Sequence, residues 1–338
     1  MTANYCVQRY LLMTLDPVHP GAGGYRLGRV DNSIIREPGT RLPKIPGTSM
    51  HGAARAYAAY LYETPEAAGQ SHDKIDKPQE NPICYTFGYV TKNKQSNKQN
   101  AFSGVVNIFD AHILLFPVHS AAGPVWVSTK ERLEEAGFTV EDAPEEDAPE
   151  KNEQATLTWS YPHDKRLNLG WLMLDVAPQT ATITPPKNAN WGSEKPWQTV
   201  SKRIALVPDT LFSAIVNSNL EVRTSVAINP ETGAAEDGAL FTYEAIPRAT
   251  FLTIEVVLDD YIIDEKRPRP FPTEKTDKGN PLPGGKWENP LDVVRAGLGM
   301  IAHLSVGGMG TRGFGRMKII GDPLEKDPLA SESQEVQA

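Results

Sequence analysis

Residues 291–320 read LDVVRAGLGMIAHLSVGGMGTRGFGRMKII, and the order of elements around the glycines decides the fold class. Gly308-x-Gly310-x-x-Gly313 matches a dinucleotide-binding fingerprint letter for letter. That fingerprint works only after a strand and at the opening of a helix, where the helix N-terminus meets a pyrophosphate. Here the order is reversed. A helical stretch, Leu291–His303, precedes the glycines, and a strand at about Arg316–Ile320 follows them. The context therefore argues against a nucleotide-binding α/β enzyme. Two readings stay open: a plain glycine turn, or a loop of bare amides in which Arg312 and Arg316 face a phosphate backbone.

Working outward from the glycines, Phe251–Leu258 has strand character, and residues 264–290 form a long loop rich in proline. Glu221–Ile228 and Gly238–Ala245 flank Asn229-Pro230-Glu231-Thr232-Gly233, which predicts a β-hairpin with a long tip. Ile204–Leu211 leads into a helix ending near Ser218. Phe109–Pro117 and Gly123–Thr129 read as strands, and Thr129–Ala136 as a short helix. Residues 5–16 read as a buried strand. Ser49 is the expected N-cap of an alanine-rich helix running from Met50 to about Tyr62. The polar stretch from Thr64 onward is expected to be an insertion or mobile loop. Strands and helices mix without regular βαβ alternation, so the fold class is α+β.

The chain has 338 residues, 40% hydrophobic and 22% charged, with a net charge of −8. That composition is ordinary for a globular protein. No apolar run approaches the roughly 20 residues needed to cross a bilayer, so no membrane role is expected. The two cysteines, Cys6 and Cys84, suit a reducing compartment, and the cytoplasm is the expected location. The acid is segregated: residues 131–153 carry a net −8 and residues 322–338 a net −4, so the remainder is +4. Local patches rather than net charge decide phosphate binding.

One such patch spans residues 18–55, where Arg26, Arg29, Arg36, Arg41, Lys44 and Arg55 face only Asp31 and Glu37. Within it, Pro46-Gly47-Thr48-Ser49-Met50-His51-Gly52 opens the alanine-rich helix. A helix N-terminus with small hydroxyl residues can hold an anion; it can equally be ordinary capping. Asp31, taken alone, is a turn residue, because Asp-Asn-Ser is turn chemistry. The seven histidines have no paired metal-ligand spacing, and no zinc site is expected.

Four collinear segments together resemble the RAMP backbone subunits of type III CRISPR effector complexes, in the Cas7 superfamily. They are Thr14–Gly23 continuing through Val30–Glu37 and Pro43–Arg55, then Phe109–Ser120, Glu221–Pro247 and Gly307–Gly315. The resemblance implies a ferredoxin-like (RRM-like) palm with inserted loops and a projecting β-hairpin thumb. Residues 1–321 are expected to form one such domain, with a 221–250 thumb hairpin; composition, rather than the resemblance, marks a 64–104 insertion, a 138–156 acidic loop, the 264–290 proline-rich loop and a disordered acidic tail at 322–338. The resemblance implies several copies along a CRISPR guide RNA, contacts with other subunits, and divalent-metal-dependent cleavage of target RNA, with Mg²⁺ as the expected ion.

The catalytic aspartate of the family falls on Asp31, which would act as base or hold Mg²⁺ with RNA phosphates. Glu244 and Tyr243 are weaker candidates for support near the scissile phosphate. Arg36, Lys44, Ser49, His51, Arg55, Gly310, Thr311 and Arg312 would hold guide phosphates. RNA brings its own nucleophile, the 2′-OH, so a protein need only splay a nucleotide into line. The alternative is the same scaffold without cutting. The chain departs from the family at Asn32, where proline is common, at Thr48–His51, where Ser-Ser-Leu-Lys is common, and at His119, where arginine is common.

Overall fold

The computed structural model describes residues 5–23, 30–69, 72–92, 99–141, 154–162, 165–236, 240–261 and 268–326. Six strands and two helices matter most here: β1 (Tyr5–Thr14), α1 (Gly47–Leu61), β2 (Ala111–Ser120), β3 (Glu221–Ser225), β4 (Phe241–Ala245), β5 (Phe251–Asp259), α2 (Pro290–Met300) and β6 (Met317–Lys326).

The centre is a mixed sheet of eleven strands. Its path runs Leu167–Leu169, Leu172–Thr180, Gln154–Leu157, Ile204–Leu206, Gly123–Ser128, β2, β5, β1, β6, with Lys44–Ile45 on β2 and Val106–Ile108 on β5. Around β1 every pairing is antiparallel, with Leu11 opposite Thr253 on one side and Ile320 on the other.

β1 is buried along most of its length because both faces of the sheet are covered. Successive strand residues point to opposite faces. Tyr10 and Leu12 join the larger core, with Ile113, Ile254, Met50 and Leu298. Leu11 joins a second core on the other face, with Leu114, Phe251, Ile320 and the rings of Phe138, Trp191 and Trp197. Phe138 lies 4.8 Å from Trp197 and 5.5 Å from Trp191, centroid to centroid.

α1 and α2 form the layer over the larger core. α1 owes its helicity to alanine, the strongest helix former, and its small side chains let α2 come close. α2 starts at a capping box: Asn289 accepts from Leu291 N at 2.8 Å and Asp292 returns the bond to Asn289 N at 3.2 Å. α1 begins three residues earlier than its sequence suggests. Its cap residue is Pro46, with no side-chain cap, so Ser49 sits inside the first turn and is not the N-cap. The reason is tertiary: Asp110 Oδ1, at the mouth of β2, accepts from Gly47 N at 2.6 Å and does the capping from another element.

Two further expectations change. The polar stretch after Thr64 is folded, not loose. It forms three short 3₁₀ turns, a helix at Pro82–Phe87 buried at every position, and a hairpin pairing Gly88–Lys92 with Gln99–Ser103. Ile83, Cys84 and Tyr85 carry it into the main core. The acidic tail also starts later than residue 322. β6 runs on to Lys326, where Lys326 and Glu255 pair at 3.0 Å, and Trp191 Nε1 donates to Asp322 O. Residues 327–338 and the acidic residues 142–153 lie outside the described set.

The hairpin prediction holds: β3 and β4 pair antiparallel, with Glu221 opposite Ala245 and Arg223 opposite Tyr243. From Val222 to Glu236 its residues are mostly exposed, whereas Tyr243 and Ala245 at its base are buried with Phe314. No helix among the described residues is long and apolar enough to cross a membrane.

Candidate nucleic-acid interface

Asp31 is exposed and lies against the base of the hairpin. Its Oδ2 accepts from Thr242 N at 2.7 Å and from Thr242 Oγ1 at 2.9 Å, and its own amide donates to Thr242 Oγ1 at 3.1 Å. Next to it, Asn32 pairs in parallel with Tyr243: Asn32 N donates to Thr242 O, and Glu244 N donates to Asn32 O, each at 3.0 Å. The chain segment that carries Asp31 is therefore stitched to β4. The Thr242 amide, then its hydroxyl, hold the Asp31 carboxyl below the usual carboxylate range.

A group held so firmly as an anion is a weak proton acceptor at neutral pH. Its chemistry is that of a fixed negative charge. Oδ1, which takes no bond from Thr242, can receive a hydrogen bond from a hydroxyl or ligate a cation. Among the described residues no three His, Cys, Asp or Glu side chains gather into a metal site. Mg²⁺ commonly takes one or two carboxylates together with substrate phosphates and water, so Asp31 fits as a single protein ligand to such an ion.

Glu244 and Tyr243 follow Thr242 on β4 and are engaged with other partners. Glu244 Oε2 pairs with Arg36 Nη2 at 2.8 Å, with both side chains nearly enclosed. Arg36 also donates from Nε to Asn217 Oδ1 at 2.8 Å. Tyr243 is buried, its hydroxyl accepting from Ser225 Oγ at 3.2 Å and its ring edge-on to His19 and Phe314.

The other predicted phosphate-binding residues divide. Lys44 lies between Asp110 (2.5 Å) and Glu37 (2.6 Å), which raise its pKa. Arg55 turns inward to Ala67 O, Gly88 O and His72 Nε2. His51 packs edge-on against Phe87 at 5.0 Å, and burial, then Arg55, lower its pKa. Ser49 is half-exposed in the first turn of α1. Arg26 and Arg29 lie outside the described residues.

The glycine loop, by contrast, faces solvent. Helix α2 precedes it and β6 follows, the order opposite to a dinucleotide fold. Gly310, Thr311 and Arg312 form a 3₁₀ turn, in which Thr311 and Arg312 are exposed. Gly307 has φ +81 and its backbone lies on His19: a Cβ there would stand 2.7 Å from His19 O. Gly308 N donates to that same oxygen at 2.9 Å. Arg312 lies over the Phe241 ring at 5.2 Å and Arg223 over Phe314 at 4.7 Å. Arg316 is turned aside, paired with Asp16 at 2.5 Å.

Asp31, the base of the hairpin, the His19 turn and the glycine loop thus meet at one place, while Lys44, Ser49, His51 and Arg55 belong to the α1 region. Sequence reasoning did not find His19, Thr242 or Arg223. His19 is buried, and its Nδ1 donates to Glu244 O at 2.6 Å; its place in Pro17-Val18-His19-Pro20-Gly21 was the available signal. Thr242 carries none.

Comparison with known proteins places the chain as a whole in a family. A model of the RAMP superfamily matches residues 11–318. Over 325 residues the chain is 28% identical to the CRISPR system Cmr endoribonuclease Cmr4 of Pyrococcus furiosus, covering 91% of this chain and 93% of that protein. The crystal structure of oligomeric Cmr4 from Pyrococcus furiosus has a similar fold, with a TM-score of 0.52 at 20% identity over 95% of this chain and 99% of that one. A chain of the type III-B Cmr-β complex bound to cognate target RNA gives a TM-score of 0.54 at 15% identity, over 93% and 96%. With the family match running from β1 into β6, the chain belongs to the RAMP superfamily.

Proposed function

We propose that this chain is a guide-binding backbone subunit of a type III CRISPR effector complex, and that it cleaves target RNA beside Asp31. The observation that carries the reading is the placement of Asp31: an exposed, ionised carboxylate fixed at the base of a solvent-exposed hairpin, beside an open glycine loop bearing Arg312.

The elements β1-α1-β2-β5-α2-β6 occur in the sheet order β6-β1-β5-β2 with antiparallel neighbours. That order supports a ferredoxin-like palm, and the β3–β4 hairpin supports the part of its thumb. The insertion, the two long loops and the tail are then elaborations of one domain. The thumb crosses the guide–target duplex and unstacks a nucleotide, so that the 2′-OH lines up with the adjacent phosphorus. Asp31 Oδ1 orients that hydroxyl, and Arg312 holds a flanking phosphate, while Arg223 is paired with Glu221 at 2.5 Å. A bound Mg²⁺, with Asp31 as its protein ligand, would neutralise charge on the scissile phosphate.

The partners are guide RNA, target RNA, further copies of the chain and other subunits, in a cytoplasm where Cys6 and Cys84 stay free. One observation favours the non-cutting scaffold: Thr242 occupies Oδ2 in the manner of a turn. The test is to load the assembled complex with guide, add labelled complementary RNA and Mg²⁺, and read the fragments. Regularly spaced products support the nuclease; bound, intact target supports the scaffold.

A further inference from the structure

We infer that Thr242 is the positioning residue of Asp31, holding the carboxylate through its hydroxyl at the angle that leaves Oδ1 facing the RNA. This rests on the reading of Asp31 as the catalytic carboxylate. The geometry is specific. The Thr242 hydroxyl sits between two groups of Asp31, accepting from its amide at 3.1 Å and donating to its Oδ2 at 2.9 Å. The Thr242 amide adds a second bond to the same oxygen at 2.7 Å. Two of these three bonds end on Oδ2 and hold the aspartate side chain, and the third holds its backbone, which leaves Oδ1 for substrate. A free aspartate on a surface turn would rotate through several rotamers.

Thr242 lies on β4, the return strand of the hairpin. The carboxylate is thus referenced to the hairpin and not only to the palm. An RNA that seats the hairpin also seats Asp31, which ties cleavage to correct docking.

The surrounding charges leave this role to Thr242. Glu244 on the same strand is paired with Arg36, Tyr243 is turned into the ring cluster, His19 is committed to Glu244 O, and Asn32 is neutral.

Thr242→Val keeps the β-branched shape and the amide but removes the hydroxyl; Thr242→Ser restores it. The first readout is the titration of the Asp31 carboxyl in the full chain, followed by carbon-13 NMR. In Thr242→Val it moves to higher pH, and in Thr242→Ser it returns toward wild type. The second readout is single-turnover cleavage by the assembled complex. Thr242→Val is slower by on the order of tenfold or more, as expected for loss of a hydrogen bond to a charged group. Its acid limb moves up in pH while target binding is unchanged, and Thr242→Ser recovers both. An Asp31 titration unaffected by Thr242→Val overturns the role of Thr242. A shifted titration in a complex that cleaves equally well as Asp31→Ala overturns the catalytic reading of Asp31 instead.

Discussion

Gly297 of α2 lies directly on the backbone of Ala54 in α1: a Cβ at Gly297 would stand 2.1 Å from the Ala54 carbonyl oxygen. No residue with a Cβ fits there without separating the two helices that cover the main core. Gly297→Ala, normally helix-stabilising, is therefore predicted to lower stability by about 1–3 kcal/mol through overpacking. Urea unfolding of the full chain measures it; a neutral or stabilising result would mean the helices pack less closely than described.

The cap on α1 comes from Asp110. Asp110→Ala removes the acceptor for Gly47 N and one of the two carboxylates on Lys44. The expected loss is about 1–2 kcal/mol, the scale of an N-cap deletion. Asp110→Asn, which keeps an acceptor, recovers part of it in the same unfolding assay.

Arg36 and Arg312 separate structure from RNA contact. Arg36→Ala strands the enclosed Glu244 carboxylate, a change of about 3–5 kcal/mol where a buried pair is broken. It lowers the unfolding midpoint. Arg312 is exposed on the glycine loop, so Arg312→Ala leaves unfolding nearly unchanged and weakens RNA binding, with a shallower dependence of log affinity on log salt. Titrations at several salt concentrations distinguish them. An Arg312→Ala variant with an unaltered salt slope removes that loop from the interface.

Two histidines set a pH window. The pKa values of His51 and His72 are lowered, by burial first and by the Arg55 guanidinium second. Unfolding returns both to about 6.5. Below that value the unfolded chain binds more protons than the folded one, so stability falls as pH falls. It is full above about pH 6.5 and declines until the pH passes the lowered folded values. Unfolding from pH 7.5 to 5 is predicted to show this decline, and His51→Gln and His72→Gln each make it shallower.

Much of the architecture is legible in local pattern. β5, the β2 region, the hairpin and α2 follow from apolar runs bounded by turn residues, and the reversed helix–glycine–strand order correctly argued against a dinucleotide fold. The start of α1 was not legible, because its cap is Asp110, far away in sequence. The fold of residues 72–92 was not legible either, since its buried residues are flanked by lysine- and asparagine-rich chain that reads as loop. The site divides in the same way. Asp31, a turn residue when taken alone, was singled out by the family resemblance, but whether an arginine is free or paired depends on Glu244, Asp110 and Asp16 arriving from elsewhere. Sequence shows that Arg36, Lys44 and Arg55 are basic; it does not show that they are already engaged.

The most direct test of the central claim compares wild type with Asp31→Ala in the assembled complex, with guide RNA, labelled complementary target and Mg²⁺. Cleavage and target binding are measured side by side. The account predicts regularly spaced fragments from wild type, their loss in Asp31→Ala, and equal target affinity in both. Undiminished cleavage by Asp31→Ala would contradict it and return Asp31 to the role of a turn residue held by Thr242.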